Sequence, residues 1–340
     1  MNKQIKFGVG IPTGEEGLMY PIPFASAQDN VLIAQHAEKL GYDSVWGNDH
    51  VLTQKYVHEE FKRAPRYYAP LMTLAAISQA TTRIKLATAL LVAPFRHPVM
   101  VAKEIATLDQ LSNGRGIIGI GIGAYQEEFK KMFGEKVDGF RRGDMIDEML
   151  PALRLLWRGE PCSMHGKYYT FDDVESFPTP VQNPMPIYIG GNSPQGRRRV
   201  VDYGDGWLPA ALSVDEIKAY LQEIYDYAEE KQRDLTNLEV APQFHVYVAK
   251  TQEEAEAKFR ETQMYKHNIS LQSSTLKNHR TDPAKTGLVG SVEHVRELVG
   301  RFVEAGVTTF SAMIFSTNTL PEMLDMMQLF SEDVMKDYIK

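Results

Sequence analysis

A carboxylate and an imidazole stand side by side in the stretch GYDSVWGNDHV at residues 41–51, where Asp49 and His50 follow an apolar segment typical of a buried strand. The imidazole of His50 can act as a general acid or base because its pKa lies near neutrality, and a neighbouring carboxylate can fix its tautomer. Asp49 can equally be a cap on the next turn, with His50 a satisfied neighbour. The chemical interpretation is favoured if the pair lies at the C-terminal end of a barrel strand, because the active faces of such barrels are built there.

A second stretch, GGNSP at residues 190–194, has the composition of an anion site. It precedes a predicted helix in which residues 197–199 are all arginine. Free N–H groups at the start of this helix, together with the hydroxyl of Ser193, can bind a phosphate. A glycine turn with Ser193 as the helix cap and Pro194 at the first helical position explains the same residues, and the two interpretations are compatible.

Two further motifs are weak indications of function. The spacing G-x-G-x-x-A at residues 119–124 matches the dinucleotide fingerprint, but it follows three predicted strand–helix units instead of opening the fold. Cys162 and His165 form a lone C-x-x-H without a second pair. We therefore expect no zinc or other metal site.

Strand-like and helix-like segments alternate along the chain, as in a parallel sheet covered by helices. Largely apolar runs such as residues 84–92 are typical of strands that are buried on both faces. The segments that predict strands are Ile5–Ile11, Asp43–Trp46, Ile84–Leu91, Arg115–Ile122, Ile187–Ile189, Gly206–Leu208, Glu239–Ala249 and Thr308–Phe315. These eight units predict a single-domain α/β fold over residues 1–340, the (β/α)8 TIM barrel.

Amphipathic stripes mark several of the helices between the strands. One stripe begins after Ser213 and Glu216, which have the spacing of a capping box, and its apolar residues step by three and four between 214 and 228. Thr251 and Glu254 repeat the capping-box spacing, and another stripe follows Ser291.

Two stretches interrupt this alternation. Residues 160–186 are rich in proline and aromatic residues, and they predict an insertion in the form of a short hairpin between the fourth helix and the fifth strand. Residues 267–290 are polar and have no period, so they predict a mobile lid loop.

The predicted strands end in residues that suit a binding site. The fourth has Gly121 at its end and Tyr125 after it, and the fifth is followed by the Gly190, Gly191 and Asn192 of the anion motif. Glycines at these positions let a flat ring or a phosphate approach the backbone. We expect this end of the barrel to hold the cofactor.

Composition bounds the class of protein. With 37 basic and 44 acidic residues the net charge is −7, and without basic runs neither nucleic acid nor an anionic membrane surface is an expected partner. The single cysteine excludes an internal disulfide, the opening residues do not form a signal-peptide core, and no apolar stretch reaches the length of a membrane span. A cytoplasmic enzyme is expected.

Taken together, these motifs resemble the luciferase-like flavin monooxygenase family over nearly the whole chain. The resemblance lies in GYDSVWGNDH (41–50), LATALLVAPFRHPVMVAKEIATLDQLSNGR (86–115), GIGIGAYQEEF (119–129), FPTPVQNPMPIYIGGNSPQG (177–196), DYGDGW (202–207) and VGSVEHVRELVGRFVEAGV (289–307). It implies a TIM barrel that uses reduced FMN with O2 or, in another branch, the deazaflavin coenzyme F420 for hydride transfer.

The resemblance also implies roles for particular residues. His50 corresponds to the active-site histidine of the family, and Asp49 to its acidic neighbour, which would orient the imidazole. Ala89–Leu90 falls where the family has a non-proline cis peptide under the flavin ring. Asn192 and Ser193 correspond to residues that contact the flavin.

Three functions remain open from the sequence. The first is an FMN-dependent monooxygenase that acts on a small organic substrate. In this family a separate flavin reductase normally supplies the reduced flavin, and a homodimer is expected. The second is an F420-dependent oxidoreductase on the same barrel, and the third is a non-catalytic flavin-binding barrel. Gly121 and Ile122 replace the reactive cysteine and adjoining arginine of bacterial luciferase, so light emission is not expected.

Overall fold

The structure is a computed structural model that describes residues 4–272 and 282–338. Its strands are β1 Lys6–Ile11, β2 Ser44–Gly47, β3 Lys85–Val92, β4 Gly116–Gly121, β5 Cys162–His165, β6 Thr170–Val174, β7 Ile187–Gly190, β8 Gly206–Leu208, β9 Glu239–Val240, β10 Gln243–Ala249, β11 Leu288–Ser291 and β12 Thr309–Phe315. Ten of them form one parallel sheet in the order β11-β10-β12-β1-β2-β3-β4-β7-β8-β9.

The sheet closes on itself through the segment at residues 239–243. On one side the N–H of Ala241 donates to the carbonyl of Trp207 beside β8, at 2.8 Å. On the other side the N–H of Thr308, next to β12, donates to the carbonyl of Val240 at 3.0 Å. Because this segment bonds in both directions, the ladder is continuous around the molecule, and the predicted barrel is confirmed.

The helices lie between the strands in sequence. They are α1 Ala27–Lys39, α2 Lys55–Glu60, α3 Pro70–Ala80, α4 Pro98–Ser112, α5 Gln126–Phe133, α6 Arg142–Leu156, α7 Pro194–Tyr203, α8 Val214–Glu230, α9 Gln252–Arg260, α10 Gln263–Gln272, α11 Val292–Glu304 and α12 Leu320–Asp333. The predicted capping box at Ser213 and Glu216 opens α8, and Ser291 caps α11. None of the helices in the described ranges is long and apolar enough to span a bilayer.

Two large side chains fill the interior of the barrel below its C-terminal end. Trp46 and Tyr188 are buried with ring centroids 5.9 Å apart. Glycines on neighbouring strands make room for them: a Cβ at Gly8 would come within 2.2 Å of the Trp46 ring nitrogen, and one at Gly206 within 2.6 Å of the Tyr188 ring. The barrel therefore has a packed base below the C-terminal ends of its strands.

Some predicted elements differ from the structure. The strand predicted over Glu239–Ala249 is divided into β9 and β10 at Ala241–Pro242, where proline has no N–H to donate to a ladder. The loop predicted over 267–290 is partly regular, since α10 extends to Gln272 and β11 begins at Leu288, while residues 273–281 lie outside the described residues. The hairpin predicted within 160–186 is present as the antiparallel pair β5–β6.

Candidate active site

A cavity of about 640 Å³ opens at the C-terminal ends of the strands. Its lining is mostly apolar and comes from the segments that follow β2, β3, β4, β7 and β8, from β10 and from α10. This size lies within the range of small-molecule and cofactor pockets, and the position is where barrel enzymes carry their active sites.

The structure brings together all but one of the site residues expected from the sequence. Those that line the cavity are Asp49, His50, Ala89, Leu90, Tyr125, Gly190, Gly191, Asn192 and Ser193. Gly121 does not line it. A Cβ at Gly121 would lie 2.7 Å from Leu90 Cδ2, so this glycine makes room for the Leu90 side chain instead of facing a ligand.

The Ala89–Leu90 peptide bond is cis, as the resemblance implied. Both residues lie on β3 and face the cavity. This peptide and the Leu90 side chain form part of the apolar surface above the packed base of the barrel.

His50 is held by a glutamate that was not among the expected site residues. Its Nδ1 lies 3.0 Å from Oε1 of Glu128 on α5, and this carboxylate is only 3% exposed. Gln54 donates to the same Oε1 at 2.7 Å and accepts a hydrogen bond from the hydroxyl of Tyr67 at 2.9 Å. Because Glu128 accepts from Nδ1–H, the Nε2 atom is left to exchange a proton, and no group in the described ranges bonds it.

Asp49 has a different set of partners, and the expectation that it orients His50 is wrong. Its carboxylate forms a two-point ion pair with Arg96, at 2.6 and 3.0 Å, and accepts the N–H of Val92 at 2.9 Å. Consecutive side chains of an extended segment point in opposite directions, so Asp49 points towards β3 and His50 points towards α5. Asp49 ties the exit of β2 to the exit of β3.

The anion motif presents its backbone to the cavity, while its polar side chains are engaged elsewhere. The hydroxyl of Ser193 accepts the N–H of Gly196 at 3.1 Å and caps α7. The amide of Asn192 donates to the carbonyl of Ala210 at 2.7 Å and accepts its N–H at 3.1 Å. Gly191 has a φ of 118°, and a Cβ built there would meet no described atom within 4 Å.

The arginines that follow this motif do not reach the cavity. Arg197 pairs with Glu223 of α8 and donates to the carbonyl of Asn192. Arg199 pairs with Asp147 of α6 at 2.6 Å. An anion at this end of the cavity would therefore meet N–H groups and the cap of α7.

Two more histidines line the cavity, and burial keeps both neutral. Burial lowers the pKa of His245 to about 4 and that of His267 to about 3, the latter helped by the charge of His50. Burial also raises the pKa of the nearby Tyr125 hydroxyl to about 12. Within residues 4–272 and 282–338, no group of three or more His, Cys, Asp or Glu could hold a metal ion.

Glu128 and His267 could not be identified from local sequence. Glu128 is the second of two adjacent glutamates in the first turn of α5, and its neighbour Glu127 instead accepts the N–H of Lys55 at 2.9 Å. His267 lies in the stretch that was expected to be a loop. The helical form of that stretch was the missing signal.

Comparisons with known proteins agree with this geometry. The model of the family described as luciferase-like monooxygenase matches residues 5–309. The oxygenase component of a flavin-dependent trigonelline monooxygenase from Acinetobacter baylyi is 31% identical over 68% of this chain and 62% of the relative. An F420-dependent glucose-6-phosphate dehydrogenase from Amycolatopsis mediterranei is 30% identical over 61% of this chain and 62% of the relative.

The fold has close counterparts among solved structures. A monooxygenase from Streptomyces bottropensis superposes with a TM-score of 0.79 over 98% of this chain and 100% of that one, at 21% sequence identity. At this identity the likeness concerns the fold alone. The family model, in contrast, covers most of the sequence. The chain therefore belongs to the luciferase-like monooxygenase family.

Proposed function

We propose that this protein is a flavin-dependent monooxygenase that uses reduced FMN and O2 to oxidise a small organic molecule. The observation that carries the proposal is the buried His50–Glu128 pair, which opens onto a mostly apolar cavity beside the cis peptide Ala89–Leu90. An ionisable pair in a large apolar pocket is the usual arrangement of an active site. The similarity to the oxygenase component from Acinetobacter baylyi supports the same activity.

The residues present fit FMN. The apolar surface at Ala89–Leu90 would take the flat ring, because no charged group of β3 intrudes there. The phosphate would lie against the backbone of residues 190–193, where Gly191 leaves open space and α7 begins. The amide of Asn192 holds this loop to Ala210 and so fixes the shape of the cradle.

Bound reduced flavin would supply the electrons and the site of O2 activation. The chain's own residues do three other things. His50 gives or takes a proton at Nε2, Glu128 stabilises the imidazolium and fixes its orientation, and the apolar lining excludes water that would compete with the substrate. Asp49, already paired with Arg96, supports the loop.

Transfer of an oxygen atom from O2 to a product tests the proposal. Purified protein is mixed with FMN, an independent flavin reductase and NADH, and a panel of small neutral and zwitterionic organic compounds is screened by mass spectrometry for products that gain one oxygen atom. Incorporation of ¹⁸O from ¹⁸O2 is expected for at least one compound. Tight FMN binding with no ¹⁸O product across the panel would contradict oxygenation.

A second candidate is an F420-dependent oxidoreductase, favoured by the similarity to the F420-dependent dehydrogenase from Amycolatopsis mediterranei. The same His50–Glu128 pair could take the proton of a substrate hydroxyl while hydride leaves the adjacent carbon. Anaerobic bleaching of oxidised F420 by an alcohol would distinguish this reaction, since FMN-dependent oxygenation requires O2.

The proposal extends to partners and assembly. A relative named as an oxygenase component implies that a separate reductase supplies reduced flavin, and we propose the same for this chain. We also propose that the protein is cytoplasmic. We propose a homodimer because Met72 of α3 and Met100 of α4 are exposed apolar side chains on two helices that pack against each other. Light scattering should give twice the chain mass of 38.4 kDa.

A further inference from the structure

A second imidazole enters the cavity from a different part of the chain than His50. His267 lies on α10, is 3% exposed and contributes to the cavity lining. Its Nδ1 lies 2.8 Å from the hydroxyl of Tyr56 on α2, and the two rings are nearly parallel, with an interplanar angle of 26°. The ring contact and the hydrogen bond with Tyr56 together fix the orientation of the His267 side chain.

Tyr56 connects His267 to the surroundings of His50. Tyr125 is a neighbour of Tyr56, and its ring lies 5.4 Å from the ring of His50. A phenol is the better donor and an imidazole nitrogen the better acceptor, so Tyr56 donates to Nδ1 of His267. In that arrangement the proton of the neutral imidazole is on Nε2.

The Nε2 atom of His267 is free to bind a ligand. No side chain or backbone group in the described part of the chain bonds it. The Nε2 atom is not fully buried, so a ligand in the cavity can reach it. A buried N–H without a partner costs free energy unless a ligand or water takes the bond.

His267 differs from His50 in its electrostatic setting. The hydrogen-bond partner of His50 is the carboxylate of Glu128, whereas the partner of His267 is the hydroxyl of a tyrosine. Burial and the charge of His50 lower the pKa of His267 to about 3, so this ring stays neutral near pH 7. A ring of this kind donates a hydrogen bond without transferring its proton.

We propose that His267 is a substrate-binding residue whose Nε2–H donates a hydrogen bond to an acceptor oxygen of the substrate, such as the carbonyl of a ketone, aldehyde or amide. This inference rests on the proposed function only in taking the occupant of this part of the cavity to be the substrate. His50 and His267 then have separate tasks: the first transfers a proton, and the second orients the molecule that is oxidised.

Acetophenone, a neutral aromatic ketone, serves as the probe. Its dissociation constant is measured by calorimetry with protein saturated with oxidised FMN. His267→Phe keeps a ring beside Tyr56 but removes the donor, and it should weaken binding about 3- to 10-fold, the usual worth of one neutral hydrogen bond. His267→Gln keeps a donor at the same reach and should restore most of the affinity. His58→Phe changes an exposed histidine of α2 and is the matched control.

Spectra of the parent protein give a second readout that does not depend on a variant folding. With ¹⁵N-labelled histidine, His267 should show a single neutral tautomer protonated at Nε2, and acetophenone should shift that resonance. Equal affinities of the parent and His267→Phe, protonation at Nδ1, or no binding of acetophenone by the parent would each overturn the inference.

The FMN titration separates this inference from the proposed function. His267→Phe should bind FMN as the parent does. If the parent itself binds no FMN, the proposed function fails, and the same acetophenone titration on flavin-free protein still supports or overturns the role of His267.

Discussion

At the scale of single residues, the neighbours Asp49 and His50 have unrelated partners. The carboxylate of Asp49 is paired with Arg96, and the imidazole of His50 is paired with Glu128, 78 positions away in sequence. An acid next to a base in sequence is therefore no guide to which acid serves that base. The separation makes their roles distinguishable by mutation.

His50→Ala should lower turnover of the substrate that the oxygen-transfer screen identifies by about 10²–10⁴-fold, the usual contribution of general acid–base catalysis. Glu128→Gln should cause a smaller loss, because the amide oxygen can still accept from Nδ1–H but carries no charge to stabilise the imidazolium. Steady-state kinetics and an FMN titration measure both effects, and FMN affinity should stay close to that of the parent.

Asp49→Asn provides the contrasting variant. It removes one partner of the ion pair with Arg96, whose side chain is 21% exposed, so we expect a loss of up to about 3 kcal/mol in the free energy of unfolding. Urea titration measures it. Unchanged turnover in His50→Ala, or a stability loss there as large as in Asp49→Asn, would assign His50 a structural role.

Glu15 makes stability depend on pH. It is 3% exposed, its Oε2 has no partner among the residues that the structure describes, and burial raises its pKa from 4.5 to about 8. Between these values the unfolded chain loses the proton while the folded protein keeps it, so this group's contribution to stability falls as pH rises from about 4.5 to about 8 and is constant above.

Glu15→Gln removes that dependence because the amide does not ionise. The variant should match the parent near pH 4.5 and be increasingly more stable than the parent up to pH 8. Urea titrations of both proteins at pH 5, 6.5 and 8 measure the difference. A difference that does not change with pH would mean that Glu15 is ionised in the folded protein.

At the scale of elements, the sequence predicted what depends on local pattern. The strands under the site have apolar runs, and Ser213 and Ser291 cap their helices as expected. The missed strand β11 begins at the end of a polar stretch without a period, which predicted a loop. The break between β9 and β10 was not predicted, because Pro242 lies within an apolar stretch. The only sign of the break is that proline has no N–H to donate.

The difference between local pattern and tertiary contacts also explains which site residues could be predicted. Residues directly after strands were identified because all parallel strands of a barrel end on one face. Glu128 and His267 lie on helices, and their contacts depend on how α5 and α10 pack against the loops of other units. Such contacts are set by the tertiary structure, and spacing in sequence does not reveal them.

The turn that joins β7 to α7 gives a test at this scale. Gly191→Val places a side chain in the open space where the phosphate would lie, and it should weaken FMN binding about 10- to 100-fold, the equivalent of one charged hydrogen bond. Gly134→Val is the matched control, since Gly134 also has positive φ and open space but does not line the cavity.

Both substitutions place valine at a positive φ, so a loss of FMN affinity found only in Gly191→Val is an effect of its position in the cavity. Fluorescence quenching of FMN measures the affinities. If Gly191→Val binds FMN as Gly134→Val does, the phosphate lies elsewhere.

At the scale of the whole molecule, the cavity exists only when the barrel is closed. Its lining extends in sequence from Met19 to Ile314, and the bond between Tyr56 and His267 joins residues 211 positions apart. An unfolded or partly opened chain cannot assemble these groups. A ligand that fills the cavity therefore binds the native state alone, and its binding free energy adds to the stability of the entire barrel.

FMN should accordingly raise the melting temperature of the protein. At a free concentration 100 times its dissociation constant, a ligand adds about 2.7 kcal/mol, which corresponds to about 3–6 °C for a chain of this size. Differential scanning calorimetry with FMN, F420 and riboflavin, all at the same free concentration, measures the shifts. FMN should stabilise more than riboflavin, because only FMN offers a phosphate to the backbone at Gly191. Equal shifts with FMN and riboflavin would exclude a phosphate contact, and a larger shift with F420 than with FMN would favour hydride transfer over oxygenation.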